Sequence, residues 1–173
     1  MTIEMLKRAV EVGGEAALVL LFRSEASTGK MFEDRIPPLN PAIDTLECDF
    51  HLLYGRADLV ISHADHSITV IIARDGASGH EHVAAGIGVA SLCAAQLALM
   101  RPTAEIRKAL LWASAGKPLL DGVVEAACEA ANVIPLSWST MAVHLAVAEK
   151  SVNQFLSGAA HRADVHLDAE GVH

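Results

Sequence analysis

Aromatic residues are scarce in this chain: Trp, Tyr and Phe together make up 4% of its 173 residues. Basic residues are short as well, 13 Lys and Arg against 21 Asp and Glu, which leaves a formal net charge of −8. Proteins that hold nucleic acid non-specifically draw most of their affinity from counterion release at a basic stripe. The longest basic groupings here are the pairs Lys7-Arg8 and Arg107-Lys108, so tight non-specific DNA binding is not expected without a patch assembled by folding. Cysteine is confined to Cys48, Cys93 and Cys128, far apart and without paired spacing. That argues against a disulfide framework or a zinc knuckle, and the three read as small buried hydrophobes in a reducing compartment. The N-terminus carries Glu4, Lys7 and Arg8 before any apolar run, which does not fit a signal peptide and points to the cytoplasm. One run, Val83–Met100, has the length of a membrane span. Ser91, Gln96, two glycines and many alanines make it read as a buried core helix instead, with no membrane partner.

What is abundant is aliphatic. Hydrophobic residues make up 52% of the chain, enough for one α/β domain with a real core, expected over residues 1–157, with a polar tail over 158–173. Ile3–Val12 has the apolar spacing of an amphipathic helix, and Gly13-Gly14 interrupts it. Ala16–Phe22 fits a helix or a strand equally, because a short apolar run has no informative period. Ser24–Asp44, with Gly29, Pro37, Pro38 and Pro41, reads as an irregular excursion, functional or mobile. Leu46–Leu53, Ala57–Ile61 and Ile68–Ile72 form a three-stranded meander, the last two separated by the polar turn Ser62–Ser67. A Gly-rich loop over Asp75–His80 precedes a helix from about His82 to Met100, which stops before Pro102. Ile106–Ala113 is a buried strand reached by crossover onto the same sheet. Leu119–Ala131 is a helix, Val133–Leu136 a short strand, and Thr140–Leu156 a last helix.

Several motifs are incomplete. Ser24–Met31 resembles a phosphate loop only at Gly29-Lys30, lacking the first glycine and the hydroxyl. Gly86-Ile-Gly88 follows no strand and has no third glycine, so it reads as close helix packing rather than a dinucleotide fingerprint. His63, His66, His80 and His82 have no cysteine partners and no HExxH pattern, so they read as solvated loop histidines. No Gly-x-Ser-x-Gly elbow is present.

The segment Gly55–Gly76, GRADLVISHADHSITVIIARDG, taken with the element order around it, resembles the PD-(D/E)XK nuclease superfamily. The resemblance spans about Glu47 to Ala113. It implies a restriction-endonuclease-like αβββαβ core with a mixed central sheet, here extended by helix–strand–helix. In that family an aspartate on the second strand and Glu-x-Lys on the third bind one or two divalent metals, which generate hydroxide against a phosphodiester. A branch adds Gln-x-x-x-Tyr on the next helix. Asp58 matches the metal-binding aspartate. Ile72 stands where the acid belongs and Arg74 where the lysine belongs, while Val89 and Cys93 occupy the glutamine and tyrosine positions. Isoleucine offers no oxygen to a hard cation, and arginine neither deprotonates nor tolerates a metal beside it.

The resemblance therefore implies a degenerate nuclease that works by binding, without a cofactor. Its partner would be a protein or a second copy of itself rather than bare DNA, the Thr140–Leu156 helix supplying a dimer face. A phage or mobile-element accessory role would suit such a chain. The competing expectation is an active nuclease with a rearranged site, using Asp58 with Asp75 or Glu47, Arg74 beside them, and Mg²⁺ or Mn²⁺. Glu47, Asp49, Asp58, Asp75 and Glu81 all lie around the hairpin in sequence.

Overall fold

The computed structural model describes residues 8–9, 12–26, 32, 34–113 and 118–138. Its elements run α1 (Gly14–Ala26), β1 (Thr45–Leu52), β2 (Gly55–Ser62), β3 (Ile68–Asp75), α2 (His80–Met100), β4 (Ile106–Ala113), α3 (Pro118–Ala130) and β5 (Ile134–Trp138), with one 3-10 turn at Gly76–Ser78. The strands form one five-stranded mixed sheet in the order β1-β2-β3-β4-β5. β1, β2 and β3 are an antiparallel meander. β4 and β5 continue it in parallel, each reached through a helix. This is the α/β class and mixed sheet expected from the sequence.

Each strand alternates sides, so two cores form. On one side Leu59, Ile61, Ile71, Ala73, Leu111 and Leu136 pack against Leu18, Leu21 and Phe22 of α1. On the other, Val60, Val70, Ile72, Leu110 and Trp112 pack beneath α2 and α3. Strands covered on both faces read as continuous aliphatic runs, which is why β3 and β4 lack polar alternation. The segment Ala16–Phe22, undecided in sequence, is helical because Leu18, Leu21 and Phe22 repeat on one helical face and bury against the sheet. Gly13 and Gly14 precede it with φ of 64° and 54°, a backbone that glycine adopts without strain. Helix α1 also takes in the first residues of the expected 24–44 excursion. Arg8, Ala9 and Val12 of the first expected helix are helical. The expected 140–156 helix and the 158–173 tail lie outside the described residues.

Two expectations change. His63 is not a solvated turn residue. It is buried, with Nε2 hydrogen-bonded to Thr69 Oγ1 at 3.0 Å and Nδ1 3.6 Å from Asp44. Helix α2 is a core helix on one face only: Val83, Gly86, Ala90, Cys93, Ala94 and Leu97 are buried, yet only 28% of its most apolar stretch is buried. By length and composition it is the one described helix able to cross a membrane.

Candidate functional site

The rungs on either side of Asp58 pair Cys48 with Leu59 and Phe50 with Ala57, so Asp49 and Asp58 fall between them. Asp49 has a φ of 52°, a left-handed backbone that aspartate tolerates better than most side chains. There β1 also changes sides: Leu46 and Cys48 pack toward α1, Phe50 and Leu52 toward α2. The ladder between β2 and β3 ends at Leu59 opposite Ile71. Just beyond it, Asp58 Oδ2 accepts the Ala73 N–H at 2.8 Å. Asp58 thus stands beside Ile72 and Ala73, where the two strands part.

Arg74 fills the space between the acids. Its Nη1 donates to the Ala73 carbonyl at 2.6 Å and to Asp58 Oδ2 at 3.4 Å, and lies 3.7 Å from Glu15 Oε1. The arginine stem is held down by the helix above it. A Cβ at Gly86 would sit 2.5 Å from Leu110 Cδ1 and 2.9 Å from Arg74 Cγ, so α2 approaches β3 and β4 as closely as only glycine allows. On the far side of Asp58, Arg56 bridges Asp58 at 3.7 Å and Asp49 at 3.1 Å. Beyond Glu15, His82 Nε2 is hydrogen-bonded to Glu15 Oε1. The result is an alternating string, Asp49–Arg56–Asp58–Arg74–Glu15–His82. It crosses the end of the sheet where β3 and β4 finish and α1 and α2 begin.

Burial pushes the Asp58 carboxyl above its ordinary 3.8, and Glu15 adds to the rise; the Ala73 amide, Arg74 and Arg56 offset it only in part. A folded value above the unfolded one means that the native state holds the proton more tightly. Asp58 therefore contributes stability that is fully present below 3.8 and fades as pH rises through the folded value. Urea midpoints of the native chain should decline through that window relative to those of Asp58→Asn, where nothing titrates at this position. A native curve that climbs relative to the variant would reverse the sign.

The other expected residues are placed as follows. Ile72 is fully buried in the core beneath α2. Asp75 caps the 3-10 turn, its Oδ1 accepting the Ala77 N–H at 2.9 Å, and a Cβ at Gly14 would lie 3.9 Å from its Oδ2. It thus stands at the same end as Glu15. Glu47 lies opposite Val60 and lines a different hollow with His63, His66, Arg101 and Thr103, at the other end of the sheet. Glu81 is exposed in the first turn of α2. Cys93 is buried below α2, and burial pushes its thiol up, with Asp58 adding and Arg74 opposing. Val89 is half-buried against the same core. Among the described residues no three His, Cys, Asp or Glu side chains converge as a metal ion would require.

Sequence reasoning does not single out Glu15. Its only signal there is an acid at a helix start after two glycines, and its role comes from where α1 docks. Chemically the arrangement is a string of carboxylates already neutralised by guanidinium groups. No family model matches the chain, and neither the curated proteins nor the solved structures compared with it offer a match.

Proposed function

We propose that this chain is a catalytically degenerate PD-(D/E)XK-like protein that acts as a binding or assembly module instead of cutting phosphodiesters. The observation that carries this reading is Arg74, whose guanidinium lies between the Asp58 and Glu15 carboxylates, a position a divalent cation would need. The fully buried Ile72 beside it supplies no oxygen ligand. The element order α1-β1-β2-β3-α2-β4 and the strand-end position of Asp58 support the scaffold. The net charge of −8 favours a protein partner over bare DNA. Three free thiols suit the cytoplasm, and a phage or mobile-element accessory role is our reading of such a scaffold.

A second reading, an active nuclease with a rearranged site, draws on Asp58 and Glu15, which both reach Arg74, and on Asp75 at the same end of the sheet. The two separate in one experiment. Supercoiled plasmid and single-stranded DNA are incubated with the protein in Mg²⁺ or Mn²⁺. The binding-module reading expects both substrates to stay intact. Cleavage that disappears in Asp58→Ala would overturn it in favour of the second.

A further inference from the structure

Residues 83–100 contain no Asp, Glu, Lys, Arg or His. The inner face of α2 accounts for part of that composition, but the outer face does not. Ala85, Gly88, Leu92, Ala95 and Leu99 are all exposed and recur at intervals of three and four, the spacing of a helix–helix seam. Surface helices of this length ordinarily present charge on the outer side. Leu99 is 84% exposed and Leu92 49%. The β1–β2 turn adds Leu53 and Tyr54, and the Tyr54 N–H donates to Gln96 Oε1 on α2 at 2.8 Å. With Met100, these make five of the nine large exposed hydrophobics among the described residues. A patch so concentrated marks an interface.

We infer that the outer face of α2 is a two-fold interface with a second copy of this chain. The order of side-chain sizes favours a copy over other partners. Small residues, Ala85 and Gly88, occupy the first half of the seam, and Leu99 lies in the second. An antiparallel pairing centred on Leu92 sets Leu99 of each copy over Ala85 of its partner, large into small. Leu92 meets its counterpart on the axis, as an isologous contact requires. Charge agrees. Glu81 and Arg101 are exposed at opposite ends of α2, so the same pairing brings the Glu81 of one copy toward the Arg101 of the other, at both ends. A stable pair needs about 800 Å² per partner; a seam about 21 Å long falls short alone, so the pairing must draw in the exposed Leu53–Tyr54 turn beside it. This inference is independent of the chemistry at Asp58, since a nuclease could pair in the same way.

Light scattering on a sizing column tests it with the full chain. The native protein at micromolar concentration is expected at twice 18.3 kDa and Leu92→Glu at 18.3 kDa, with an unchanged circular dichroism spectrum. Oxidised Leu92→Cys should cross-link to itself. Leu99→Cys should do so only when mixed with Ala85→Cys, all in a Cys48→Ser background, since Cys93 and Cys128 are buried but Cys48 is half-buried. A native mass of 18.3 kDa, or a pair that survives Leu92→Glu, would overturn the inference. So would a monomer whose Leu92→Cys thiol resists maleimide, which would assign the face to the chain's own residues 139–173. A monomer that floats with phosphatidylglycerol vesicles would assign it to lipid and overturn the inference equally. None of these readouts depends on DNA cleavage.

Discussion

Arg74→Ala is expected to destabilise the fold by about 3–5 kcal/mol at neutral pH, the range found when one partner of a buried ion pair is removed. The side chains of Asp58 and Arg74 are 10% and 15% exposed, so water screens the lost interaction little. The loss has three parts. Asp58 keeps its Ala73 amide and the longer contact to Arg56, but loses the nearer guanidinium. Glu15 loses one of its two partners. The stem of Arg74, packed below Gly86, leaves an unfilled space where α2 crosses the sheet.

The pH dependence distinguishes the charge from the packing. Arg74 lowers the Asp58 value in the native protein, so its removal raises that value further. Asp58 in the variant then takes up its proton at a higher pH than in the native chain, and the unpaired buried charge disappears. The deficit in urea midpoint should accordingly shrink as pH falls from 7 toward the raised value. A deficit constant with pH would mean that only packing was lost. Arg74→Lys is the comparator: it keeps the stem and the charge, but a single ammonium cannot span both carboxylates and the Ala73 carbonyl as a fork does. It should fall between the native chain and Arg74→Ala.

How much of this is legible in the sequence divides by range of interaction. The runs Ala57–Ile61 and Ile68–Ile72 declare their strands because β-branched residues bounded by turn residues have few other uses. Asp58 stands out because an acid inside an apolar run demands a partner, and Arg56 and Arg74 are its visible candidates. Both are partners in the fold. Glu15 is invisible because it lies far along the chain from Arg74 and His82, and only the docking of α1 joins them. His63 reads as solvated because a turn histidine usually is. Its burial depends on Asp44, which also accepts the Ala64 N–H and so folds the 34–44 segment against the turn. The two faces of α2 cannot be separated from composition, since an all-apolar helix has no preferred side until the sheet covers one. The acids Glu47 and Asp49 share a parity in sequence, yet the left-handed Asp49 turns the strand there. Asp49 joins the Arg56 bridge, whereas Glu47 faces the other hollow.

The same geometry gives a large expected effect for Ile72→Glu, on the order of 5 kcal/mol of lost stability, since an ionised group replaces a fully buried aliphatic one. The new carboxylate would share the α2 side of β3 with Arg74, two residues on. A partial pairing there would keep the loss from growing further. Metal then becomes the informative variable. In Ile72→Glu combined with Arg74→Lys, the bridging guanidinium is gone. Carboxylates at positions 58 and 72 lie beside each other where β2 and β3 part, with Glu15 close by. Divalent cations bind such oxygens only where they converge, and a ligand that binds the native state alone raises stability by mass action, about 2.7 kcal/mol at a hundredfold excess over its dissociation constant. Thermal unfolding of the double variant should therefore shift upward with millimolar Mn²⁺, while the native chain, whose acids are held by Arg74 and Arg56, should not respond. A folded double variant that ignores Mn²⁺ would break the correspondence between position 72 and a metal-binding acid, leaving the scaffold to rest on the element order and the strand-end position of Asp58. A native chain that responds as strongly as the variant would instead show that Arg74 yields its place to a cation, and would favour the active reading.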